Sequence, residues 1–244
     1  MMMTFSKYFL IIIACLMVGN TWAQKAKVQN DPTHDMKAVH FGFSLGTNVQ
    51  DYIIKSSQMA IDSNVLIGVQ SVSPGLDIHA IANFRLAKYL DLRMLPGISF
   101  GGRTIYYKDQ FGKPIYDESE SISLMASFIE MPVLFKYKAK RLNNVSAFFV
   151  GGINPKYDLT AKQRYDQDQQ IIVSPFDIYI EGGAGFDFYL EYFKFAVEIK
   201  YGLGLKNIYS ATDPNGKRND DYPLYTDLIS SIRSQVVVLS FHFE

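Results

Sequence analysis

From Val39 onward the apolar residues stand at every second position: Val39, Phe41, Phe43 and Leu45, with His40, Gly42, Ser44 and Gly46 between them. A period of two marks a strand with one apolar face. The alternation returns at 76–85, where Leu76, Ile78, Ala80, Ala82 and Phe84 oppose Asp77, His79, Asn83 and Arg85. It returns after a tight turn, with Leu92, Met94, Ile98 and Phe100 against Arg93, Gly97, Ser99, Gly101 and Arg103. A fourth run sets Ile129, Met131, Val133, Phe135 and Tyr137 against Glu130 and Lys136. The fifth, 145–157, is less regular because Phe148, Phe149 and Val150 are adjacent. The sixth sets Phe176, Ile178, Ile180, Ala184, Phe186, Phe188 and Leu190 against Asp177, Tyr179, Glu181, Gly183, Gly185 and Asp187. A seventh sets Phe195, Val197, Ile199, Tyr201 and Leu203 against Glu198, Lys200, Gly202 and Gly204, and the eighth ends the chain with Val237, Leu239, Phe241 and Phe243.

A soluble sandwich or lipocalin-type barrel would also alternate, with its apolar face inward. Two features point the other way. The polar face is rich in Gly and Ser as well as charge, which suits a crowded lumen, and the apolar faces run for roughly 9 to 11 residues, the length of a tilted membrane strand. The links alternate in length too. Those at 86–90, 138–144 and 191–193 are short, whereas 50–73, 108–121, 158–174 and 206–230 are long. Outer-membrane barrels have short periplasmic turns and long external loops. The expectation is therefore an all-β fold, an eight-stranded antiparallel transmembrane β-barrel over 39–244 with both termini in the periplasm.

The segment ahead of the first strand reads as processing signal. Lys7, an apolar run from Phe9 to Gly19, and the small residues Thr21 and Ala23 have the form of a secretory signal peptide over 1–23. The single cysteine, Cys15, falls in Ile12-Ile13-Ala14-Cys15, which also has the form of a lipoprotein cleavage site; the apolar continuation Leu16-Met17-Val18 speaks against lipidation. A mature chain cleaved after Ala23 has no cysteine, hence no disulfide and no thiol nucleophile. Residues 24–38 are polar and carry Asp31-Pro32, which predicts a flexible tail.

Composition then changes the picture in one respect. The 24 Lys and Arg balance 24 Asp and Glu, which gives no field to hold a nucleic-acid backbone. With the apolar face in lipid, the interior receives Asp77, Arg85, Asp91, Arg93, Arg103, Glu130, Lys136, Glu181, Asp187, Glu198 and Lys200. Unpaired charge is costly there, so these predict a structural network of ion pairs. Eight strands enclose a space just wide enough for side chains, which excludes a porin and a protein-conducting channel formed by one copy. Outer-membrane lipid is the expected surrounding, and no small-molecule substrate is implied.

No catalytic, cofactor or metal site emerges. His40, His79 and His242 share the interior near the periplasmic end without clustered ligand spacing. Lipid A-modifying barrels place Ser, His and an acid at the external rim, where these histidines do not lie. Asp213-Pro214-Asn215-Gly216 has turn chemistry but misses calcium-loop spacing.

Three stretches carry a family resemblance: Phe128-Ile129-Glu130-Met131-Pro132-Val133, then Gly151-Gly152-Ile153-Asn154-Pro155, then Glu181-Gly182-Gly183-Ala184-Gly185-Phe186, followed by Tyr201-Gly202-Leu203-Gly204. The first resembles the Glu-x-Pro strand common in outer-membrane barrels of the Bacteroidota. Together and in this order they resemble the PorT/SprT family. That resemblance implies a component of the type IX secretion system, required for export of proteins with a C-terminal signal domain, such as secreted proteases and gliding adhesins. It implies other subunits of that system as partners and no catalytic residues, hence an accessory or assembly subunit. The alternative is a passive structural or adhesive barrel that binds an external partner through its loops. Pro155 departs from the aromatic or basic residue expected there and puts the end of the fifth strand in question.

Overall fold

The computed structural model describes residues 29–32, 36–109, 111, 122–161, 172–210 and 228–244. The signal-peptide segment with Cys15, the 213–216 turn and much of the links 108–121, 158–174 and 206–230 lie outside the described residues.

The chain runs β1 (Val39–Ser56), α1 (Gln58–Asp62), β2 (Val65–Arg85), β3 (Leu90–Met94), β4 (Gly97–Asp109), β5 (Ile122–Glu130), β6 (Val133–Lys138), β7 (Val145–Asp158), β8 (Ile172–Val173), β9 (Phe176–Tyr189), β10 (Lys194–Gly204), β11 (Tyr209–Ser210) and β12 (Ile229–Phe243). All main-sheet pairings are antiparallel, and β1 bonds β12 and, from Val39↔Phe84 to Val49↔Pro74, also β2, so the sheet closes on itself through that stretch. Closure removes the row of unpaired N–H and C=O groups that lipid would punish. Among the described residues no helix is long and apolar enough to cross a membrane; the crossing elements are strands.

Ten strands make eight staves. The third and fourth staves are each interrupted at a proline, Leu95-Pro96 and Met131-Pro132, because proline cannot donate to the ladder. Neither break shifts the register: Met94 faces Val133 and Gly97 faces Glu130. Pro155 stays inside β7, opposite Ile178. The ladder continues through the breaks by single bonds, with Leu95 N–H donating to the Pro132 carbonyl at 2.9 Å and Met131 N–H to that of Pro155 at 3.2 Å. Proline cannot return either bond.

The link expected at 50–73 is instead mostly strand, with 50–56 paired to β12 and 65–73 paired to β4. β1 runs on to Ser56 and β2 starts at Val65, joined by α1, whose first turn is capped by Ser57 Oγ accepting from the Ala60 N–H at 3.3 Å. Beyond the lipid an outward apolar face is no longer required, so polar residues enter both faces and the period of two fades. Ile53, Ile54, Val65, Ile67 and Val69 still favour the extended backbone. At the Pro74-Gly75 irregularity of β2, a side chain on Gly75 would strike the Phe100 carbonyl.

The faces are inverted relative to a soluble protein. Phe41, Phe135, Tyr137, Phe149, Ile180, Phe186 and Ile199 are all more than half exposed, whereas Arg93, Lys136 and Glu198 are fully buried. Aromatics cluster toward each end of the exposed band, with Phe41, Tyr137 and Phe193 near the short turns and Tyr157 and Phe176 near the long links, as the interfacial girdles of a membrane barrel require. Phe243 closes the β1–β12 seam by stacking on Phe43 at 4.8 Å between centroids, with Phe195 at 5.3 Å.

Candidate functional site

The interior holds the chemistry, in ion-paired and apolar layers along the axis. Nearest the short turns, Arg93 of β3 donates from Nη1 to Glu198 Oε2 at 3.1 Å and from Nη2 to Glu244 Oε1 at 2.7 Å. Lys194 pairs with the other Glu244 oxygen at 2.5 Å, Lys136 with Asp187 at 2.7 Å and Lys138 with Asp91 at 2.9 Å. Glu244 follows the last strand residue. Burial alone would raise its carboxyl, but Lys194 and Arg93 beside it hold it well below the ordinary carboxylate range.

Apolar side chains share this layer. Ile81, Leu95, Leu134, Phe148, Val150 and Ala196 pack together, and the Lys136 ammonium sits 3.8 Å from the centroid of the Phe148 ring. That ring fits because Gly185 opposes it; a side chain there would collide with the ring and with the Val197 carbonyl.

A second cluster centres on Glu130. One oxygen lies 2.6 Å from His79 Nε2, and the other takes Lys156 at 2.5 Å and Asn154 Nδ2 at 3.2 Å. Asn154 also donates to Glu181 at 2.6 Å, and Lys200 pairs with Glu181 at 3.1 Å and reaches Glu198 at 3.9 Å, which joins the two clusters. Above them Asp77 accepts from Asn48 at 2.6 Å, and the Arg103 guanidinium lies 3.7 Å over the Tyr52 ring while donating to Gln50 at 3.3 Å. The far end is closed by apolar residues. Tyr52, Ala60, Ile105, Leu124, Val173, Ile208, Leu228, Ile229 and Ile232 form one buried cluster there.

The structure therefore brings Asp77, Arg93, Arg103, Glu130, Lys136, Glu181, Asp187, Glu198 and Lys200 into the lumen. Arg85 is corrected. It is the last residue of β2, half-buried below the network, and its guanidinium donates to the Met36 carbonyl at 3.2 Å, with no acid paired to it among the described residues. Sequence reasoning missed Lys138, Lys156, Lys194 and Glu244. Continuing the alternation one step past Lys136 and His242 reaches Lys138 and Glu244. Lys156 was hidden because Phe148 and Val150 face inward and break the polar pattern of β7.

The histidines do not assemble. His79 belongs to the Glu130 cluster, His242 lies 3.4 Å from Glu198, and His40 is buried beside Asn83 at the turn end. Among the described residues no three His, Cys, Asp or Glu are grouped to hold a metal ion.

The segment expected as a free tail also has contacts. Asn30 N–H donates to Asn144 Oδ1 at 3.0 Å, Arg141 donates to the Asn30 and Asp31 carbonyls at 2.5 and 3.3 Å, and the Ala38 carbonyl accepts from Arg85 N–H at 2.9 Å. Residues 29–32 and 36–38 thus run beneath the barrel's turn end, pinned to it.

A closed antiparallel sheet, apolar outside and charged within, defines an outer-membrane β-barrel protein. Residues 22–210 match the family described as an outer membrane protein beta-barrel domain, and the chain belongs to that family. Among solved structures it is similar to the outer membrane protein OprG from Pseudomonas aeruginosa, at 12% identity and a TM-score of 0.43, over 84% of this chain and 92% of that one. No curated protein matches it.

Proposed function

We propose that this barrel is an accessory or assembly subunit of the type IX secretion system, required for export of cargo bearing a C-terminal signal domain. The motif resemblance supplies the system. The observation that carries the role is the filled lumen: two linked ion-pair clusters and an apolar cap occupy the axis, which favours work done by surfaces over conduction. No enzymatic step is proposed: His79 and His242 lie against Glu130 and Glu198. The proposal includes a signal peptide over 1–23 and an orientation with short turns and both termini in the periplasm.

The test is an in-frame deletion in the native host. Loss of secreted, processed proteases, restored by the wild-type gene, supports the reading; normal export overturns it. The rival reading, a passive structural or adhesive barrel, draws on the α1 connection between β1 and β2, where Met59, Ile61 and Leu66 are exposed. Intact export with altered surface binding after deletion selects it. Unchanged behaviour of His79→Ala and His242→Ala would remove an outer-membrane lipid hydrolase from consideration.

A further inference from the structure

The turn end of the barrel holds a cavity of about 250 Å³ below the ion-pair network, which it meets at Lys138. Its lining includes Arg85, Lys88, Lys138, Lys140 and Arg141, and none of its described lining residues is acidic. Ser146 and Tyr189 point inward from β7 and β9, so the cavity lies under the lumen axis rather than against the lipid-facing wall. A bilayer headgroup packs around such a barrel; what enters here comes along the axis.

The cations are not equivalent. Lys138 pairs with Asp91, and Arg141 stacks 3.7 Å from the Tyr189 ring and spends its donors on Asn30, Asp31, Asn143 and Asn144. Arg85 gives one donor to Met36. Lys88 and Lys140 are exposed on two different short turns, and neither makes a hydrogen bond or ion pair with a described residue; Lys88 lies 5.3 Å from the Tyr89 ring. The mouth already holds described pieces of the chain's own N-terminal segment, 29–32 and 36–38, through arginine donors on the Asn30, Asp31 and Met36 carbonyls. Two uncommitted lysines stand beside that track.

We propose that this mouth is a docking site for an acidic peptide segment of a partner protein. Lys88 and Lys140 would receive its carboxylates, while the Tyr89 and Tyr189 side chains wall a space sized for two or three residues. The proposal names the partner chemistry that an accessory subunit needs, and it rests on the reading above only for the partner's periplasmic source. The binding experiment needs no export, so the two can fail separately.

The test uses the full mature barrel in detergent micelles with a fluorescein-labelled hexaglutamate peptide, read by anisotropy. Lys88→Glu/Lys140→Glu is compared with wild type and with Lys55→Glu, which lies on the opposite end; heat-dependent gel mobility confirms folding. We expect saturable, salt-sensitive binding that weakens about tenfold or more in the double variant, persists in Lys55→Glu, and survives inorganic phosphate and phosphatidylglycerol vesicles at matched ionic strength. Absence of saturable binding, equal binding by the double variant, or displacement by phosphate or by the vesicles would overturn the proposal.

Discussion

Lys136 and Asp187 form a fully buried pair in the lumen, 2.7 Å apart and with no exposed side-chain surface on either partner. At that distance and an effective dielectric of about 20, the direct attraction is about 6 kcal/mol. Desolvation costs several kcal/mol per ion, so the pair as a whole contributes little net stability. Breaking it is another matter. Lys136→Met leaves Asp187 buried without its paired cation and is expected to cost about 3–5 kcal/mol, a shift of roughly two to four orders of magnitude in the folding equilibrium. Lys136→Met/Asp187→Leu removes both charges and should recover to within about 1 kcal/mol of wild type, the signature of a coupled pair. The measurement is urea unfolding in lipid vesicles, followed by the gel-mobility difference between folded and unfolded barrel. Lys136→Met within about 1 kcal/mol of wild type, or a double variant as destabilised as the sum of its singles, would refute the claim that paired charge fills this lumen.

Other consequences are open to the same assay. Pro155→Ala supplies an N–H toward the Met131 carbonyl and should stabilise the barrel by about 1 kcal/mol. Gly185→Val forces the Phe148 ring and the Val197 backbone apart, and should destabilise it by about 1–3 kcal/mol or more. Glu244 has a folded-state value below its unfolded one, so its contribution is complete above the ordinary carboxylate range and is lost as pH falls through the folded value. Unfolding midpoints taken from neutral to acid pH should therefore fall less steeply for Glu244→Gln than for wild type.

The staves were legible because lipid outside and charge inside impose opposite demands on alternate residues, and Phe41, Ile180 and Phe186 met the first while Glu130, Asp187 and Glu198 met the second. Where one demand lapses, legibility ends. In β7 the inward Phe148 and Val150 answer to an apolar layer of the lumen, which hid Lys156 in the same phase. Past Gln50 the strand leaves the lipid, and its extension with α1 resembled a loop. Arg85 kept the inward phase but sits where the stave stops, within reach of the Met36 carbonyl. The breaks at Pro96 and Pro132 left no trace in the alternation because neither alters the register.

Planar-bilayer recording on the purified barrel tests the central claim most directly. A lumen closed by the Arg93 and Glu130 clusters and capped by Tyr52, Ile105, Leu124 and Ile232 predicts insertion without stable conductance steps. Reproducible long-lived open steps from a single copy would contradict it.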